Sequence, residues 1–213
     1  MGMDIVAIME HNLSIDEVFD YPIQVNQWED VFEMYKKYTS NSHDKANAVW
    51  DDRNPSVTKK LILNEWKQFE DKSLPQISCK IVANNLDIEF NEKTVNVCPS
   101  PHHKYGNLYN FDTRQYVIEY LRLIGEKFNT SKIIYCVDSA CSTAILEEKS
   151  RDGYSLVEIE KFGLQQFGKI PSTLTEAVYY YFFIDDYQLS HEDYPNDKFL
   201  LNRAFKIHQK FHD

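Results

Sequence analysis

Two hydrophobic periods meet in this chain, and together they limit what it can fold into. Ile77, Cys79 and Ile81 alternate with polar residues, as do Leu86, Ile88 and Phe90, and then Val95 and Val97. A period of two is the strand period. Asn84-Asn85 and Asn91-Glu92-Lys93 interrupt the alternation as hairpin turns do. Residues 77–98 therefore read as an antiparallel meander with one solvated face. Beyond residue 110 the period changes. Tyr116, Val117, Tyr120, Leu121, Ile124 and Phe128 recur at three- and four-residue spacings, which is one face of a helix.

The stretch 112–168 carries the clearest punctuation. Asp112, with Gln115 three residues on, opens the helix as a variant capping box, and Asn129 is a left-handed stop. Gly125, near the helix end, allows close approach of a neighbour. Ile133-Ile134-Tyr135-Cys136-Val137 is short, apolar and β-branched, so it reads as a strand buried on both faces and central in the sheet. The turn Asp138-Ser139-Ala140-Cys141-Ser142-Thr143 follows; Asp138 and Ser139 suit the cap of a helix through Ile145, Leu146 and Glu147 towards Gly153. Ser155 with Glu158 is a capping box for a helix whose apolar residues are Leu156, Ile159, Phe162, Leu164 and Phe167, ended by Gly168 and Pro171.

Earlier in the chain, Asp4 to Glu10 reads as an opening strand. Ser14 with Glu17 caps a short helix that stops before Pro22, and Asn26 with Glu29 repeats the device before Trp28, Val31, Phe32, Met34 and Tyr35. Residues 39–54 are polar and read as a loop; a helix from Pro55 carries Val57, Leu61, Ile62, Trp66 and Phe69. Near the other end, 175–186 leans to a strand, and 197–211 reads as a helix with Lys198, Arg203, Lys206 and Lys210. The expected fold is α+β: a single domain with a mixed, mainly antiparallel sheet flanked by helices. A helical N-terminal part, 1–75, precedes a sheet-forming part, 76–213.

Several function classes are poorly supported. The chain has 213 residues with 43% hydrophobic and 14% aromatic, enough to bury a core. The formal net charge of −10 opposes nucleic-acid binding, which needs clustered Lys and Arg. Six glycines, none in a phosphate-cradling cluster, give nicotinamide, flavin and ATP sites little to build on, and no cofactor is expected. Gly163 to Lys169 matches seven positions of a P-loop, but Ile170 stands where magnesium needs a hydroxyl, Pro171 follows and no strand precedes. The longest apolar run, Val178 to Ile184, is too short to span a membrane. The N-terminus resembles no signal peptide, and Val6 stands where a myristoylation motif needs a hydroxyl. The four cysteines, at 79, 98, 136 and 141, form no dense framework and suit reduced thiols in a cytoplasmic protein.

Three constellations could carry chemistry. Cys98, His102 and His103 have residue types that suit zinc, with Cys136, Asp138 or Cys141 arriving from elsewhere, although Cys-x3-His is not a common knuckle. Cys141 beside Asp138, with His102 or His103 as base, would make a thiol nucleophile. Asp51-Asp52 and Asp185-Asp186, with Glu192-Asp193 behind the second pair, are paired acids of the kind that solvated faces also show. The pattern leans away from an enzyme. Its expected role is protein interaction, in the form of an acidic module, immunity-type, that binds a basic protein. The alternative is a hydrolase or metal-dependent enzyme built from the 98–103 loop and the Asp138–Cys141 turn.

Overall fold

The computed structural model describes residues 5–39, 47–50, 60, 79–83, 86–99, 111–137, 144–167, 170, 173 and 174. The strands are β1 (Ile5–Glu10), β2 (Val49–Trp50), β3 (Cys79–Ala83), β4 (Leu86–Phe90), β5 (Thr94–Pro99) and β6 (Ile134–Val137). The helices are α1 (Ile15–Val25), α2 (Glu29–Thr39), α3 (Phe111–Lys127), α4 (Ala144–Arg151) and α5 (Leu156–Phe167). Six strands form one sheet in the order β2-β3-β4-β5-β1-β6, and each pairing is antiparallel. The fold is α+β in a single domain.

The first strand of the chain lies inside the sheet. β1 pairs with β5 through Ala7 and Val97 and with β6 through Val6 and Cys136. The sheet thus depends on a segment of the N-terminal part as well as on the later meander. Alternation along β1 sends Ile5, Ala7 and Met9 to one face and Val6 and Ile8 to the other.

On the first face α1, α2 and α3 cover the sheet. Val18, Tyr21, Val25, Trp28, Val31, Phe32, Val117, Leu121 and Ile124 pack there on Ile81, Leu86, Ile88, Phe90, Val95 and Val97. An aromatic cluster sits at its centre: Tyr21 stacks on Phe128 at 5.2 Å between centroids and meets Phe90 edge-on at 5.1 Å. The second face is divided. Over β1 and β6 it is apolar, and Val6, Ile8, Ile134 and Cys136 are covered by Leu146 of α4, by Leu156 and Ile159 of α5 and by Ile170. Over β3, β4 and β5 it carries Lys80, Asp87, Glu89, Asn96 and Cys98, which line a polar pocket.

The local signals hold closely. Ser14 and Glu17 form the capping box, as do Ser155 and Glu158. Asn129 has φ 54° and Gly153 has φ 79°. Gly163 is a packing glycine of α5, since a Cβ there would sit 2.1 Å from the Ile170 Cγ2. Residues 163–167 of the P-loop resemblance are thus helical.

Five expectations change. α1 does not stop before Pro22 but runs through it to Val25. An interior proline costs about 3 kcal/mol. Burial of Tyr21 and Val25 on either side offsets this at about 1.5–3 kcal/mol each. Asn26 does not cap α2; it ends α1, and its amide both donates to the Ala48 carbonyl at 3.2 Å and accepts from the Ala48 N–H at 2.7 Å. Two tertiary hydrogen bonds here replace one local cap. Within the expected loop 39–54 lies β2, whose Trp50 is buried and donates Nε1–H to the Phe19 carbonyl. β6 is buried on both faces yet lies at the end of the described sheet, not at its centre. The meander is not evenly solvated on one face, because Thr94 and Asn96 of β5 are buried beside Ser150 of α4.

The expected elements at 55–69, 175–186 and 197–211 lie outside the described residues, save for the helical Lys60. Among the described residues no helix is long and apolar enough to cross a membrane.

Candidate functional site

Of the residues singled out from sequence, the structure describes Cys98 and Cys136. His102, His103, Asp138 and Cys141 lie outside the described residues, as do Asp51-Asp52, Asp185-Asp186 and Glu192-Asp193. Cys98 of β5 and Cys136 of β6 are thiols on the same face, with β1 between them. Two strand spacings put them about 9–10 Å apart, beyond the reach of a disulfide. Cys136 is buried among Val6, Ile8 and Leu146. Among the described residues no three His, Cys, Asp or Glu converge as metal ligands.

Cys98 opens into the pocket on the second face. Val6, Lys80, Asp87, Glu89, Asn96, Cys98, Glu147 and Arg151 enclose about 200 Å³ there. The strands set its floor by register: Asp87 pairs with Cys98, and Glu89 pairs with both Lys80 and Asn96. The α4 helix sets its wall. Arg151 donates through Nε and Nη2 to the Glu89 carboxylate, at 2.9 and 3.1 Å, and through Nη2 to Glu147 at 2.5 Å. Lys80 meets Asp87 at 2.7 Å. Burial opposes the charge on Arg151, but its hydrogen bonds to Glu89 and the charges of Glu89 and Glu147 outweigh it and hold its pKa above the usual value.

The charged groups of this pocket thus compensate one another. A thiol nucleophile would need a base, and His11, the one histidine among the described residues, is not in the lining. Its two ring nitrogens are engaged by Asn91 and Leu13. The arrangement clamps α4 onto the polar half of the sheet.

A different surface concentrates negative charge around α1, which carries no Lys or Arg. No Lys or Arg occurs before Lys36. Asp16, Glu17, Asp20, Glu29, Asp30 and Glu33 lie on α1 and α2 and are exposed. Three have identified roles: Glu17 serves the Ser14 cap, Asp30 meets Lys127 at 2.7 Å and Glu33 meets Lys36 at 2.9 Å. Hydrogen bonds from the Ser14 side chain and backbone hold the Glu17 carboxyl below its ordinary value; the Lys127 hydrogen bond does the same for Asp30. Asp16, Asp20 and Ile23 share the outward stripe of α1 at three- and four-residue spacings. Ile23 is 62% exposed there. The last turn of α1 has no basic residue, so the negative end of the helix dipole adds to the carboxylate field.

The bias in the first 35 residues is plain in the sequence once charge is read by segment; that Ile23 faces outward is not. Compared with protein-family models, with curated proteins and with solved structures, the chain matches none.

Proposed function

We propose that this protein is a protein-interaction module that engages a basic protein partner through the outward face of α1. An immunity-type role, in which the module neutralises a basic protein, is the narrower form of the same reading. The observation that carries it is the charge distribution: exposed carboxylates occupy α1 and the start of α2, and no Lys or Arg precedes Lys36. Ile23 supplies an apolar centre within a polar rim, which is the anatomy of a binding patch. Carboxylates around it raise the encounter rate with a basic surface and disfavour acidic competitors.

The test is capture from cell lysate by the tagged chain, compared with Asp16→Lys/Asp20→Lys. A basic protein held by the native chain, with retention falling at least about tenfold on charge reversal and falling with added salt, is the expected result. Equal retention by both chains would end this reading of α1.

A further inference from the structure

We propose that His11 is an acid-sensitive latch that joins the start of α1 to the β4–β5 turn and to α4, and that protonating its ring releases the start of α1. His11 follows β1 directly and is 5% exposed. The Phe90 ring meets it edge-on, 5.8 Å between centroids. Its backbone N–H donates to the Lys93 carbonyl at 3.2 Å, so the residue is pinned at both backbone and ring.

Hydrogen bonding decides which ring nitrogen carries the proton. The Leu13 N–H donates to Nδ1 at 3.1 Å, so Nδ1 presents a lone pair. Nε2 then carries the hydrogen and donates to the Asn91 carbonyl oxygen at 2.9 Å. This is the neutral ring in one tautomer, with both nitrogens committed.

Asn91 passes the connection on. It is fully buried, its N–H donates to the Thr94 carbonyl at 2.8 Å, and its Nδ2 donates to the Ser150 hydroxyl of α4 at 2.9 Å. Ser150 in turn meets Thr94 at 2.7 Å and donates to Asn96 at 2.6 Å. One imidazole therefore ties a helix on the first face of the sheet to a helix on the second.

A second ring proton would break this arrangement in two ways. Nδ1–H would face the Leu13 N–H, donor against donor. The charge would also lie in a buried site, where burial disfavours it and only the Asn91 carbonyl favours it. Among the described residues the surrounding elements hold their charges elsewhere. Glu17 of α1 is held by Ser14, Lys93 of the β4–β5 turn meets Glu158, and Arg151 of α4 is held by Glu89 and Glu147. Glu10 on β1, Asp16 on α1 and Glu92 in the turn are other charged groups on these elements, and the ring's hydrogen bonds go to Asn91 and Leu13 instead.

Losing the Leu13 bond loosens the residue before the Ser14 cap, and α1 frays from its first turn. The consequence for partner affinity, weaker binding in acid, rests on the reading of α1 given above; the latch does not.

The test uses the full chain and two NMR measurements. Long-range 1H–15N correlation at about pH 7.5 reads the His11 tautomer. Amide exchange of Leu13 to Val18, corrected for intrinsic rates, is then followed downward in pH through the whole His11 titration in the native chain and in His11→Gln. The latch requires the Nε2–H tautomer. It also requires a loss of protection of at least about tenfold that tracks the His11 titration, is absent in His11→Gln, and spares Ile88 and Val97 in the sheet. A charged ring or Nδ1–H at the upper pH, or an equal loss in the variant, overturns it. Should the variant not fold, the native midpoint decides alone: fraying displaced from the His11 titration overturns the latch. No partner enters these measurements, so a failed charge-reversal capture would sink the binding reading and leave the latch standing.

Discussion

Arg151 at the end of α4 holds Glu89 of β4 through two guanidinium nitrogens, across 62 residues of sequence. Glu147, one turn earlier on α4, shares the same guanidinium. The Arg151 side chain is 42% exposed and that of Glu89 15%, so solvent screens part of the pair. Arg151→Ala should cost about 1–2 kcal/mol, between a surface pair and a fully buried one. Thermal unfolding would then fall by about 2–8 °C. Arg151→Lys should recover only part of it, since a lysine cannot make the two-nitrogen contact. An unchanged melting temperature for Arg151→Ala would show that α4 is held by its apolar side alone.

Ser150 is fully buried and serves Asn91, Thr94 and Asn96 at once. Ser150→Ala keeps the packing volume but leaves three buried polar groups short of a partner. The expected cost is about 1–3 kcal/mol, read by denaturant unfolding as a lower midpoint with an unchanged slope. A cost near zero would mean that water replaces the hydroxyl.

Gly163 lets α5 approach Ile170. An added methyl would meet the Ile170 Cγ2 at 2.1 Å and the Leu146 Cδ2 at 3.2 Å. Gly163→Ala should therefore destabilise by about 1–3 kcal/mol, despite the better helix propensity of alanine. In a double-mutant cycle, Gly163→Ala should cost less on an Ile170→Ala background than on the native one. Additive costs would place the strain elsewhere.

Stability should change with pH through two kinds of group. Burial holds His11 below its ordinary value of 6.5. The unfolded chain therefore takes up the proton first, and the His11 contribution is complete above about pH 6.5 and lost as pH falls through the folded pKa. Glu17, Asp30 and Glu119 are shifted the same way from lower starting points, by hydrogen bonds from Ser14, Lys127 and Arg122. Their contributions are present above their ordinary values of 4.5, 3.8 and 4.5 and are lost below them. Denaturant midpoints against pH should show both steps, and His11→Gln should remove the upper one alone. A variant that keeps the upper step would assign it to another group.

The site was legible only in part, for a physical reason that particular residues show. Glu147 stood out in the sequence only as a helix residue, and nothing in the sequence singled out Arg151 or Glu89. Their meeting depends on which face of β4 lies towards α4. Cys98 was singled out for its type, and it does line a pocket, but beside cations already engaged by carboxylates rather than beside a histidine among the described residues. Leu164 was counted with the apolar residues of α5, yet it is 47% exposed while Gly163 faces the core.

The sequence by itself determined what depends on neighbours within a turn or two. The Ser14–Glu17 and Ser155–Glu158 caps, the left-handed Asn129, the buried face of α3 and the alternation of β3 and β4 all follow from residue types at short spacings. Tertiary structure alone decided that β1 lies between β5 and β6, that Asn26 holds Ala48 rather than capping α2, and that α1 continues through Pro22. It also decided that His11 reaches Asn91 and, through it, Ser150. Closing a long loop costs little more than closing a short one. Long-range partners are therefore chosen by which faces can be buried together and which polar groups must then be satisfied, and neither is written in any single stretch of the chain.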